Sequence, residues 1–513
     1  MAGAVRRRPR SAGPTASAAE AIAKIAPARA AAFEILTLVG ADKGHSDELL
    51  HSARTDELTP EDRNLATALV MGVLRWQIAL DARLAKLLSR PEQRLAEPVA
   101  LALRMGAFQL LHMDRIPAHA VLNESVEMCR AAGQPHAAGM VNAVLRKLVA
   151  AQKPGTRIFE SAAAFAERLG HPLWLVERWV AEYGRDAALA ICEYDQREPV
   201  AGLLYAEAKG GVASREAVPQ MDDGSRLVAE LAAAAMPIAA GRAGRVWDCC
   251  AAPGGKTLML AMRLNSHLKD EMLTPASKLA GDPEMLTPAS KLAGDPEMLT
   301  PASKLAGDPE MLTPASKLAG DPEMQGTGGA EILATDVSAK RLALMVARLR
   351  RYAYAERVQC AVADASAVAV GDERDAKFDL ILCDVPCSGT GTLARNPEIR
   401  HRLRVEDLAR QAARQRAILR GAIARLEVGG RLVYSTCSLE PEENEQVVEA
   451  VANDTGVRRI PVETLMAKLA ETGELKQDAA DGLIGAAVRD GALRTLPGVH
   501  GCDGFFAVVL ERE

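Results

Sequence analysis

The pattern of apolar residues changes character near Arg245, and that change limits the folds open to this chain. Upstream, apolar residues recur at helical spacing. Thr59-Pro60-Glu61-Asp62 reads as an N-cap, a first-turn proline and an acidic third position. Leu65, Leu69, Val73 and Trp76 follow at helical intervals, and Leu101, Met105, Phe108 and Leu111 form a second stripe. Such stripes pack a helical core and by themselves say nothing of function. Downstream, short apolar runs end in polar turns and alternate with helical stretches. They are Val246-Trp247, Ile332 to Ala334, Val358 to Val362, Phe378 to Leu382, Leu432 to Tyr434 and Phe505 to Leu510. This alternation predicts a mostly parallel sheet flanked by helices, whose ligands bind at the carboxyl ends of the strands.

A chain of 513 residues exceeds what one hydrophobic core supports. The expected order is a disordered basic tail (1–21), an all-α domain (22–150), a small connecting module (151–243) and an α/β domain (244–513). The tail carries Arg6, Arg7, Arg8 and Arg10 and lacks the apolar core of a secretory signal. No apolar run reaches the ~18 residues of a membrane span. The longest, Val228 to Ala240, is interrupted by Glu230 and Pro237. We therefore expect a soluble monomer with no membrane partner. Nine scattered cysteines, none in a CxxC pair, predict no metal site and a reduced, cytoplasmic setting.

The unit MLTPASKLAGDPE occurs four times in succession, from Met272 to Glu323. Each copy has one Lys, one Asp and one Glu, so the four contribute −4 to the net charge of −5 and leave −1 elsewhere. Overall charge thus neither supports nor excludes a nucleic-acid partner, which needs only a local basic surface. Two prolines and a glycine per copy forbid a long helix, and thirteen residues with so little apolar surface make a poor solenoid layer. The segment 266–328 is expected to be a disordered surface insertion between the first and second strands, with a partner-binding tether as the alternative.

Three strings carry chemistry. Asp248-Cys249-Cys250-Ala251-Ala252-Pro253-Gly254-Gly255-Lys256-Thr257 follows the first strand and precedes a helix expected near Leu258. Its two glycines let the backbone approach a ligand, and the helix start can receive a carboxylate. Asp336 and Asp364 end the second and third strands, where carboxylates can bind the ribose hydroxyls and adenine amino group of a nucleoside cofactor. Each could instead cap the next helix.

The fourth strand runs into Cys383-Asp384-Val385-Pro386-Cys387-Ser388-Gly389-Thr390-Gly391-Thr392, and the fifth into Tyr434-Ser435-Thr436-Cys437-Ser438. Six cysteines (Cys129, Cys192, Cys249, Cys360, Cys383 and Cys502) read as small buried hydrophobes. Cys387 and Cys437 occupy polar turns at adjacent strand ends, where both thiols could meet Asp384. Carbon 5 of cytosine becomes nucleophilic only after something adds to carbon 6, and a thiolate can make that addition. Asp384 would then hydrogen-bond the ring nitrogen and amino edge.

These strings resemble the motifs of the RNA cytosine-5 methyltransferases of the Nol1/Nop2/Sun family. The helical region resembles the NusB-type RNA-binding domain, notably Ile116 to Glu124 and Met140 to Arg146. Further matches are Arg395-Asn396-Pro397-Glu398-Ile399, Pro441-Glu442-Glu443-Asn444 and Asp503-Gly504-Phe505-Phe506. The likeness implies a Rossmann-like domain dependent on S-adenosyl-L-methionine behind a NusB-like domain. It makes Cys250, Ala251, Ala252, Pro253, Gly254, Gly255 and Lys256 the cofactor loop, with Asp336, Asp364 and Asp384 completing the cofactor and base pocket. It also makes Cys437 the nucleophile and Cys387 the residue that assists product release. The opposite assignment of the two thiols is the alternative, since DNA cytosine methyltransferases use the cysteine of a Pro-Cys pair, and Pro386-Cys387 is such a pair.

The helical domain implies small-subunit (16S) ribosomal RNA as the substrate, with transfer RNA or another ribosomal position as the alternative. Arg197-Glu198-Pro199-Val200-Ala201-Gly202 departs from the family's more basic strand. A non-catalytic RNA-binding factor would need neither thiol.

Overall fold

The computed structural model describes residues 21–150, 161–200, 202, 204–205, 221–237, 244–265, 330–350, 352, 357–367 and 377–513. The basic tail, but for Ala21, and the four repeats lie outside them. The chain divides into two compact units, Met1–Glu198 with Leu393–Arg402, and Pro199–Thr392 with Leu403–Glu513. The stretch 151–243, expected as a connecting module, is shared between the two.

The first unit is helical. Helices α1 (Pro27–Gly40), α2 (Pro60–Ala85), α3 (Glu97–His112), α4 (Ala118–Ala131) and α5 (Ala138–Ala150) enclose Ile35, Leu69, Val73, Leu103, Met105, Met128 and Leu145. Thr59 Oγ1 accepts from the Asp62 backbone N–H at 3.2 Å, so the expected cap starts α2. Among the described residues α2 alone is long and apolar enough to cross a membrane. Its Leu69, Val70, Val73 and Leu80 are instead buried in this core. Helices α6 (Ala162–Arg168), α7 (Leu173–Tyr183) and α8 (Arg185–Tyr194) follow, burying Phe165, Trp179 and Ile191.

Leu393–Arg402 belongs to this helical unit although it is threaded in sequence between two elements of the sheet. Its polar side chains are used internally. Glu398, 1% exposed, accepts from the Ser46 N–H at 3.2 Å and the Ser46 hydroxyl at 2.9 Å. Arg400 donates to the carbonyls of Arg75 at 3.2 Å and Gly170 at 3.1 Å, and His401 Nε2 lies 2.7 Å from the Leu74 carbonyl oxygen. Arg75 in turn donates to the Ala394 carbonyl at 2.7 Å. The Arg395–Ile399 string thus lies in a structural insert of the helical unit.

In the second unit the chain runs α9 (Asp223–Ala234), β1 (Arg245–Asp248), α10 (Gly255–Leu264), β2 (Glu331–Asp336), α11 (Ala339–Leu349), β3 (Val358–Val362) and β4 (Phe378–Asp384). It continues α12 (Val405–Ala424), β5 (Leu426–Thr436), α13 (Glu445–Ala452), β6 (Val457–Ile460), α14 (Val462–Glu471), α15 (Gln477–Ala487), β7 (Val488–Arg489), β8 (Ala492–Arg494) and β9 (Phe506–Arg512). The strand order is β3-β2-β1-β4-β5-β9-β8-β7, with β6 also paired to β9. Strands β1 to β5 are parallel, and β9 runs antiparallel to β5. Each run expected from the sequence is a strand. Strands β6, β7 and β8, of two to four residues, were not expected from the sequence.

Side chains alternate between the faces of the sheet. Val246, Leu380, Leu382, Val433 and Val509 pack with Leu227 and Leu231 of α9, Leu260 of α10 and Met466 of α14. Trp247, Ile381, Tyr434 and Phe506 pack with Ile418 and Leu419 of α12 and Val447 and Val448 of α13. Full burial of each large apolar side chain contributes about 1.5–3 kcal/mol. The strand order reverses between β1 and β4, which opens a crevice at their carboxyl ends.

Candidate active site

The turn after β1 is fixed by the backbones of its neighbours. The Cys249 N–H donates to the Leu382 carbonyl at 3.0 Å, and the Ala251 N–H to the Thr335 carbonyl at 2.8 Å. The Ala252–Pro253 peptide is cis. Gly254, at φ +95°, caps α10, which starts at Gly255, a turn earlier than Leu258. A Cβ at Gly254 would stand 2.7 Å from Met345 Cγ, so only glycine fits.

A pocket opens above this turn, lined by Met221, Ser225, Asp248, Cys250 to Pro253, Gly255, Lys256, Arg348 and Asp384. Thr257 Oγ1 donates to Asp248 Oδ2 at 2.6 Å, while Asp248 Oδ1 is buried with no hydrogen-bond partner. Burial pushes the Asp248 carboxyl up to about 7, against the Thr257 hydrogen bond and with the Asp384 charge adding to it. Lys256 Nζ lies 2.8 Å from Asp384 Oδ2, and Ser435 Oγ donates to Asp384 Oδ1 at 2.7 Å.

Of the three acids singled out in the sequence, Asp384 alone lines this pocket. Asp336 is 3% exposed. Its Oδ1 accepts from the Ser338 N–H at 2.8 Å and its Oδ2 lies 3.4 Å from the Arg341 guanidinium. Asp364 is exposed and accepts from the Ser366 N–H at 2.9 Å and hydroxyl at 2.6 Å. The Ser366 hydroxyl, then its N–H, holds this carboxyl below its ordinary range. Both carboxylates thus cap turns at their strand ends.

The two thiols meet. Cys387 Sγ and Cys437 Sγ are 3.3 Å apart, both half-buried and both free. Sharing with Cys437, followed by burial, pushes the Cys387 thiol well above its ordinary value. The turns carrying them are joined by the Gly391 N–H donating to the Cys437 carbonyl at 2.9 Å. Gly391 also packs on Gly504, where a Cβ would meet the Gly504 carbonyl oxygen at 2.2 Å. Five of the six cysteines read as structural are buried, and Cys360 is half-buried.

Sequence reasoning missed several residues. Met221, Ser225 and Arg348 carry no motif. Asp248 stood only as the first residue of its string, and its burial is a tertiary fact. The polar support beneath the thiols (Ser388, Gln415, Ser438 and Glu443) comes from three segments. A Ser after each cysteine and the Pro441-Glu442-Glu443-Asn444 string were the signals available.

A doubly wound sheet closed on one side by antiparallel β9, with its crevice at the end of β1, defines an S-adenosyl-L-methionine-dependent methyltransferase. The residues fit that cofactor, since Asp248 offers an unpartnered buried oxygen and the turn Cys250 to Pro253, with Gly255, lines an open pocket beside it. The family model described as 16S rRNA methyltransferase RsmB/F matches residues 314–511, and the NusB family model matches 26–150. A ribosomal RNA small subunit methyltransferase B of Xanthomonas campestris pv. campestris is 30% identical over 526 residues, spanning 96% of this chain and 99% of its own. A probable ribosomal RNA small subunit methyltransferase B of Bacillus subtilis is 27% identical, spanning 94% and 98%. The crystal structure of PH0851 shares the fold, with a TM-score of 0.62 at 18% identity over 95% of this chain and 99% of that one. The chain belongs to the ribosomal RNA small subunit methyltransferase B family.

Proposed function

We propose that this protein methylates carbon 5 of a cytosine in 16S ribosomal RNA through a covalent adduct with Cys437, acting in the cytoplasm as a monomer. The observation that carries the reading is the contact of two free thiols at 3.3 Å, with Lys256 interacting both with Cys437 and with Asp384 of the pocket wall. The loop Cys250 to Lys256 holds the cofactor, and Asp336 and Asp364 take its nucleoside end. S-adenosyl-L-methionine, when bound, supplies an electrophilic methyl group. The Cys437 thiolate adds to carbon 6, forming an S–C bond and pushing an electron pair onto carbon 5. Asp384, oriented by Lys256 and Ser435, accepts from the amino edge of the base and holds the ring as the adduct forms. Once carbon 5 carries the methyl group, its proton passes to water and the S–C6 bond breaks. The electron pair returns to Cys437. Cys387, as a thiol, donates to the departing sulfur and eases release.

The test is methylation of 16S ribosomal RNA by the full-length protein with labelled S-adenosyl-L-methionine, followed by nucleoside analysis. The label should appear in 5-methylcytidine. Label in another nucleoside, or in transfer RNA alone, would overturn the reading.

A further inference from the structure

A buried carboxylate lies beneath the two thiols, and the reaction as described does not use it. Glu443 is 0% exposed. It accepts from the Ser388 N–H at 2.9 Å, from the Ser388 hydroxyl, from the Ser438 hydroxyl at 2.6 Å and from Gln415 Nε2 at 3.0 Å. Gln415 also donates to the Pro386 carbonyl at 2.9 Å. One carboxylate is therefore bonded to the residue after each cysteine, and through Gln415 to the residue before Cys387. Charge-assisted bonds of this number fix geometry more firmly than neutral ones.

The surrounding charges are asymmetric. Facing Cys387 are Cys437, Glu443, Tyr434 and the Gly389 N–H. Behind its bond to Cys437 and its burial, the Glu443 charge is a further cause that opposes ionisation of Cys387. Near Cys437 stands Lys256, which is itself paired with Asp384. Burial would lower the Lys256 ammonium, but Asp384, then Asp222 and Cys437, outweigh it and hold it above its ordinary value. The buried Glu443 carboxylate thus interacts with Cys387, and the Lys256 ammonium with Cys437.

We infer that Glu443 is a positioning residue for this reaction, holding the two cysteine turns at thiol contact and keeping the proton shared by the pair on Cys387. The inference rests on Cys437 being the attacking thiol, because it explains how that thiol is selected. Ionisation of the pair releases one proton to solvent, and the remaining proton stays on the Cys387 sulfur.

The test is site-resolved alkylation of the full-length protein by iodoacetamide across pH, read by peptide mass spectrometry without RNA. In the unmodified protein Cys437 should alkylate at lower pH than Cys387. The reverse order overturns the inference without any variant. Glu443→Gln should lower the Cys387 midpoint by about one pH unit or more, as loss of a nearby like charge does, and so narrow the gap between the thiols. A variant whose two profiles are unchanged, or move together while activity falls only as far as stability does, reduces Glu443 to a structural role and overturns the inference. Glu443→Asp, which keeps the charge, should restore the gap between the profiles. Failure of the attack assignment would show separately, as RNA trapped through Cys387 while the alkylation profiles behave as stated.

Discussion

The turn after β1 and the floor beneath the thiols serve one site by different means. The first is built mainly from a single ten-residue string, Asp248 to Thr257, folded by backbone bonds to β2 and β4. The second is assembled from turns 50 residues apart, Cys387 and Cys437, and gathered on the side chain of Glu443. A contiguous turn tolerates change in distant side chains, because its geometry is set by main-chain bonds. An assembled floor depends on each bridging side chain, and a single carboxylate there controls the spacing of two reactive groups.

Changes that break the pocket-to-floor link should have the largest effect. Lys256→Met removes the ammonium that pairs with Asp384 and leaves that carboxylate without its cation. Methyl transfer should fall by about a hundredfold or more, roughly the loss of 3 kcal/mol or more at 1.36 kcal/mol per tenfold. Comparing kcat/KM for RNA with cofactor affinity by calorimetry checks this, and a variant retaining near-normal kcat/KM would separate the two regions.

The helical unit offers an intermediate case, an insert held by side chains like the floor but supplying none of the pocket's lining. Glu398→Ala strands the Ser46 N–H and hydroxyl in a buried setting. Thermal or urea unfolding should show a loss of about 1–3 kcal/mol, with the cofactor affinity of the folded protein unchanged. The same contacts imply that a chain starting near residue 151 would expose Glu398, Arg400 and His401, so cutting there should cost stability as well as RNA affinity.

A pH-dependent effect is expected at Asp248. Its carboxyl is held near pH 7 in the folded state against an ordinary value of 3.8. Between those values the folded protein binds a proton that the unfolded chain does not. The associated stability is therefore present below about pH 4 and is lost as pH rises through about 7. Asp248→Asn should flatten the thermal midpoint over that window. A slope equal to that of the unmodified protein would mean that Asp248 is ionised throughout.

How far the sequence could be read follows the same division. Thr59 and Asp62 announced α2, and the six apolar runs announced β1 to β5 and β9, because caps and periods are local. The string around Gly254 and Gly255 announced the cofactor turn for the same reason. Convergence of Cys387 and Cys437 could be anticipated from their places at adjacent strand ends. The roles of Glu443 and Gln415 could not, since nothing local distinguishes a buried bridging carboxylate from the acids around it. Nor could the capture of Leu393–Arg402 by the helical unit, where Glu398 finds Ser46 across some 350 residues of chain. Asp336 and Asp364 were recognisable as strand-end acids, and their turn-capping bonds emerge only with the backbone in place.

The central claim is that the two thiols divide attack and release. It is tested most directly by incubating Cys437→Ala and Cys387→Ala with 16S ribosomal RNA and S-adenosyl-L-methionine and resolving the mixtures on denaturing gels. The account predicts neither adduct nor product with Cys437→Ala, and an accumulating protein–RNA adduct with Cys387→Ala. An adduct with Cys437→Ala and none with Cys387→Ala would contradict it and reverse the roles.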